Sequence, residues 1–141
     1  MNVRLWLRPA CAGALLLVGG VAGAVPARAP TLALLDKVEH GQWLLRETGG
    51  STRTLCLTDP DALLQVRHGG AQCSRFVIAE AADRATVHYT CPGQGHGRTT
   101  IVVETPRLVR IETQGVADGA PFELELEGRR SGMCAPQPAT H

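Results

Sequence analysis

Residues 121–129 read Pro-Phe-Glu-Leu-Glu-Leu-Glu-Gly-Arg, and this stretch decides the fold class. Phe122, Leu124 and Leu126 alternate strictly with Glu123, Glu125 and Glu127. Successive side chains of a strand point to opposite faces, so the run predicts a strand with one buried and one solvated face. The same period of two recurs upstream. Residues 98–105 and 108–114 predict a hairpin around Thr105-Pro106-Arg107, in which Ile101 meets Ile111 and Val103 meets Val109. Residues 74–80 and 85–91 predict another. There, pairing Phe76 with Tyr89 and Ile78 with Val87 buries four large groups on one face, a match that a one-residue slip would break. Nearer the start, GQWLLRET (41–48) pairs with STRTLCLT (51–58) across Gly49-Gly50.

Two short helices interrupt this pattern. Leu32, Leu35 and Val38 recur at helical spacing behind Thr31 as N-cap, and that helix ends at Gly41. DPDALLQVRHGG (59–70) carries fuller signals: Asp59 as cap, Pro60 in the first turn, Asp61 at the positive dipole end, and Arg67 and His68 at the negative end before Gly69-Gly70. The expected fold is therefore mainly β. It is a curved antiparallel meander of about seven strands, an open or half barrel, with two short helices and two stapling disulfides.

Residues 1–24 read as a cleaved signal peptide. Arg4 and Arg8 precede an apolar run from Ala10 to Val18, and small residues lead to Ala22-Gly23-Ala24. A second small-residue site, Ala27-Arg28-Ala29, would leave Pro30 just past the cut, so cleavage after Ala24 is preferred. The run is too short and too rich in Gly and Ala for a transmembrane anchor. Residues 25–141 then form a single β-rich domain of the periplasm, with a frayed tail after 134. Losing Arg4 and Arg8 from the 14 Lys and Arg leaves basic side chains nearly balanced by 13 Asp and Glu. Lys37 is the one lysine and the arginines are scattered, so no nucleic-acid partner is expected. Few aromatic residues follow the leader, and a core that lean benefits from covalent staples.

Cys11 sits at the start of the apolar run rather than after it, and leaves with the leader. Cys56, Cys73, Cys91 and Cys134 remain, an even number suited to two disulfides in an oxidising compartment. The second helix advances the chain by about 13 Å, and residues 69–72 can return that distance if extended. Cys73 would then come back near Cys56. Cys91 shares a face with Val87 and Tyr89, whereas Cys73 falls opposite to Phe76 and Ile78. A Cys73–Cys91 bond would have to cross the sheet on that register and is set aside. The expected pairs are Cys56–Cys73 and Cys91–Cys134, with Cys56–Cys91 and Cys73–Cys134 as the alternative.

Gly41-x-Trp43, Cys56-Leu57-Thr58 before Asp-Pro, Cys73, Cys91-Pro92-Gly93 and the terminal Gly132-x-Cys134 together resemble domain-of-unknown-function family 3617, small exported proteins of Gram-negative bacteria. The resemblance covers essentially the whole chain after the leader. It implies a periplasmic location and paired cysteines, and brings no assigned activity and no functional residues. Family members often approach the last cysteine from a longer loop, whereas here a strand runs almost directly into it.

No constellation announces catalysis. CPGQGHGRT (91–99) has glycines around His96, but it leads into a strand rather than a helix and lacks the Lys-Ser or Lys-Thr of a phosphate loop. No two of His40, His68, His88, His96 and His141 share metal-ligand spacing on one element, so no metal or cofactor is expected. His88 is expected on an outward face between Thr86 and Thr90. Ser51, Ser74 and Ser131 lack a nucleophile context. The glutamates of the last strand read as its solvated side. Trp43 reads as a core anchor that would also serve as the ligand platform of a hollow barrel. The expected activity is that of a non-catalytic module binding an apolar small molecule or another envelope protein, with Trp43 and His96 as ligand-binding candidates. A hydrolase using His96 or His88, or a purely structural envelope component, are the alternatives.

Overall fold

The computed structural model describes residues 32–136, so the expected leader, Thr31 and the last five residues lie outside the described part. Within it the chain forms a 3-10 helix η1 (Ala33–Lys37), strands β1 (Gly41–Glu47) and β2 (Thr52–Leu57), and a second 3-10 helix η2 (Pro60–His68). Strands β3 (Ser74–Glu80), β4 (Arg84–Cys91), β5 (Gly95–Thr105), β6 (Leu108–Ala117) and β7 (Ala120–Gly132) follow. All seven join one antiparallel, unclosed sheet in the order β2-β1-β7-β6-β5-β4-β3. The mainly β fold with two disulfides is thus as expected.

Hydrophobic alternation places the core on one face. Trp43 and Leu45 of β1, Val87 and Tyr89 of β4, Ile101 of β5, Val109 and Ile111 of β6 and Leu126 of β7 are all buried. Each fully buried aliphatic side chain contributes about 1.5–3 kcal/mol. The β5–β6 hairpin keeps the expected register, Ile101 opposite Ile111 and Val103 opposite Val109. The two helices lie on this face. η2 packs against β4, β5 and β6 through Leu63, Leu64 and Val66, and η1 packs against β5 and η2 through Leu34 and Leu35. The first helix has no side-chain cap, and its N-cap position is Leu32.

Asp59 caps η2 as expected, its carboxylate accepting from the Asp61 N–H at 3.0 Å. The helix then breaks from its sequence pattern. Gln65 adopts φ −132° and ψ 41°, and its amide donates to the carbonyls of His68 and Ala71 at 3.1 and 2.9 Å. The kink turns His68 inward rather than leaving it at a solvated helix end. Three side chains moor the helix: Arg75 pairs with Asp61, Thr99 donates to the Leu64 carbonyl, and Arg53 donates to the Val66 carbonyl.

Two expectations are corrected together. In the β3–β4 hairpin Arg75 faces Tyr89, Val77 faces Val87 and Phe76 faces His88, one residue away from the expected register. A bulge follows between Val77 and Ala79. Phe76 and Ile78 therefore point outward, 68% and 44% exposed. This moves Cys73 onto the same face as Cys91 and directly across from it, and the two are bonded with Cα atoms 4.1 Å apart. The other disulfide is Cys56–Cys134. Neither the expected pairs Cys56–Cys73 and Cys91–Cys134 nor their alternative forms. The helical excursion does not return to Cys56, because η2 carries the chain from the β2 edge of the sheet to the β3 edge.

The glycine-rich stretch after Cys91 is also shorter than its composition suggests. Gln94 N–H donates to the Cys91 carbonyl at 2.9 Å, closing a tight turn with Gly93 at φ 76°. β5 starts at Gly95, so His96 belongs to a strand.

Candidate binding groove and the histidines

Trp43 is fully buried, and its indole N–H donates to the Glu39 carbonyl at 2.9 Å. It anchors the core beneath η1 and η2 rather than facing an opening. His96 is exposed on the outer face of β5, diagonal to His88 on β4, with ring centroids 6.0 Å apart. The pair edges a shallow depression that also meets Arg98, Gln114 and Phe122. No group of three or more His, Cys, Asp or Glu is set to hold a metal among the described residues. Among the described residues, His68 is the histidine whose ring is held by hydrogen bonds.

His68 was not legible as a special residue, yet it centres a buried polar relay. It is 5% exposed, and Thr99 and Thr113 beside it are as deeply buried. Nε2 faces the Gln94 carbonyl at 3.1 Å, and a carbonyl only accepts, so Nε2 carries the proton. Nδ1 is then free to accept from the Tyr89 hydroxyl at 3.0 Å. Thr99 gives its proton to the Leu64 carbonyl and so accepts from Thr113 at 2.7 Å. Burial pushes the Tyr89 phenol up from its ordinary value, against a smaller lowering by the Thr113 hydroxyl. These hydrogen bonds tie η2 to β4, β5 and β6. Buried polar groups bonded in this way hold the helix in place on the sheet.

An opening of a different kind lies where β1 leaves β7. Their last rung pairs Glu47 with Leu126, and Thr48 N–H then donates to the Glu125 carbonyl at 2.9 Å. Beyond it, Ala120 to Leu124 pair with β6 alone, so this half of β7 has no strand on its other side among the described residues. The space beside it forms a groove of about 530 Å³. Phe122, Leu124, Leu126 and Leu45 make an apolar floor, while Arg53, Arg67, Glu47 and Ser51 stand round it. Neither arginine is in an ion pair among the described residues. The floor row was evident in the alternation of residues 121–129. The walls come from β1, β2 and η2, and no local sequence signal unites them.

No family model, curated protein or solved structure matches the chain.

Proposed function

We propose that the protein is a non-catalytic binding module of the bacterial envelope that takes an apolar or amphipathic guest in the groove between β7 and the β1–β2 hairpin. The observation that carries this reading is the coincidence of an apolar floor with two arginines that have no acidic partner among the described residues. A concave site with a few polar groups at its rim is the common form of a small-ligand site. The interior under η1 and η2 is filled by side chains, so the guest lies in the groove and not in a barrel cavity.

Three features support the envelope setting. Two disulfides suit an oxidising compartment, and the signal-like residues 1–24 and the resemblance to domain-of-unknown-function family 3617 agree with the periplasm. Among the described residues no helix is long and apolar enough to cross a membrane.

Anilinonaphthalene sulfonate combines an apolar ring system with one negative charge. It should brighten on adding the native protein, and Leu124→Arg, which fills the floor, should abolish the signal. Fluorescence that stays at the level of free dye, or that Leu124→Arg leaves intact, would overturn the reading. Native mass spectrometry of protein prepared from the periplasm would identify a resident guest directly.

A further inference from the structure

We infer that the groove's guest is a free single-chain amphiphile with an anionic head, its chain lying over Phe122 and Leu124 and its head held by Arg53 and Arg67. This rests on the binding reading above and deepens it.

The apolar floor and the positive charge share one face of the sheet. Phe122, Leu124 and Leu126 alternate on the core side of β7, away from Glu123 and Glu125. Leu126 and Leu45 are buried, whereas Phe122 and Leu124 stay partly open. Arg53 of β2 is the cross-strand partner of Leu45 and so points to the same side. There it donates to the Val66 carbonyl at 3.1 Å, which brings its guanidinium to η2 next to Arg67. The rings of His68 and Phe122 meet edge to face, with centroids 5.9 Å apart. The end of η2 that carries Arg67 therefore lies at the Phe122 end of the floor.

Charge then sets the head. Neither arginine pairs with a carboxylate among the described residues. A guanidinium is a planar fork of several donors, suited to a carboxylate, sulfonate or phosphate head. Glu47 also borders the groove, but its side chain folds over the β1–β2 turn, where its Cδ lies 3.0 Å from the place a Cβ on Gly50 would take. The head therefore belongs at the η2 wall, away from Glu47. The volume of about 530 Å³ lies in the range of small-molecule sites. It suits one medium-length chain rather than a two-tailed membrane lipid.

The test uses the full chain with decanoate, decanol and decyltrimethylammonium, which share a ten-carbon chain and differ in charge. Decanoate should bind about tenfold or more tightly than the other two, and its chain protons should show nuclear Overhauser contacts to the Leu124 methyls. Arg67→Glu should weaken decanoate by about tenfold. Arg46→Glu makes the same change of charge on the opposite face and should leave the affinity unchanged. Binding no tighter for decanoate than for the other two, or equal losses in the two variants, would overturn the anionic head while the binding reading stands. Chain protons without contact to Leu124 would overturn the placement of the chain. Capture by phosphatidylglycerol vesicles without binding of monomeric decanoate would assign the arginines to a membrane surface, and the inference would fail. If no amphiphile binds and anilinonaphthalene sulfonate stays dark as well, both readings fail.

Discussion

At the scale of single residues, the buried relay is where the chemistry of one side chain is most exposed to test. Tyr89 is the only tyrosine in the chain, so its ionisation can be followed without interference. Its phenol is raised above its ordinary value of 10.0, chiefly by burial. Below pH 10 the folded and unfolded chains both keep the proton and the stability linked to it is fully present. Above pH 10 the unfolded chain loses the proton first, so stability falls as pH rises through the folded value. Alkaline titration in the near ultraviolet should therefore show tyrosinate appearing later in folded protein than in denaturant, and appearing together with unfolding. Coincident curves for the two states would refute the burial argument. Tyr89→Phe keeps the ring and removes the donor to His68 Nδ1, leaving a buried acceptor unpaired. It should cost about 1–3 kcal/mol in denaturant unfolding. Such a loss would exceed that of a change at the exposed His88.

At the scale of elements, register separates what the sequence discloses from what it hides. The β5–β6 hairpin was legible because Ile101, Val103, Val109 and Ile111 leave one way to bury the apolar rows. β7 was legible for the same reason. β3 carries Phe76, Val77 and Ile78 in succession, so apolar groups stand on both faces and either register buries some of them. Arg75 settles the matter by reaching Asp61 of η2, and the Cys73–Cys91 bond is compatible only with that choice. The groove was half legible, as its floor follows from alternation while its walls depend on where β1 parts from β7. His68 was hidden by the Gln65 kink, which no helix signal foretells. Two substitutions distinguish the registers. Phe76→Ala would cost about 3–5 kcal/mol if Phe76 lay in the core. On the observed outer face it should stay within about 0.5 kcal/mol, and should reduce self-association seen by light scattering, since Phe76 and Ile78 form an apolar edge. Gly97→Val probes the neighbouring strand. A Cβ there would lie 2.5 Å from the Tyr89 hydroxyl, because the Tyr89 ring rests against the bare backbone of Gly97. Overpacking of this kind should cost about 1–3 kcal/mol, with the tyrosine titration shifted back toward that of the unfolded chain.

At the scale of the whole molecule, an unclosed sheet has two free edges, and each edge strand carries one disulfide. Cys73 just before β3 is tied to Cys91 at the end of β4, and Cys56 of β2 is tied to Cys134 just past β7. Gln42 of β1 pairs with both Cys56 and Gly132, so the second bond clips together the chain on either side of β1. The two closures differ in span, 18 residues against 78. In the chain-entropy account these correspond to about 3 and about 4.5 kcal/mol, so the long closure stabilises more by roughly 1 kcal/mol. Cys91 is buried and Cys56 exposed, which adds a packing loss when Cys91 is shortened and narrows the gap. The edges supply a cleaner discriminator. Cys73→Ala with Cys91→Ala should speed amide exchange selectively in β3, while Cys56→Ala with Cys134→Ala should speed it selectively in β2, because each edge strand is held from one side only. Peptide mapping without reduction should first recover Cys56 linked to Cys134 and Cys73 linked to Cys91. Exchange that accelerates in both edge strands whichever bond is removed would mean that the sheet opens as one unit. The disulfides would then act on the unfolded chain alone, and the covalent protection of separate edges would have to be abandoned.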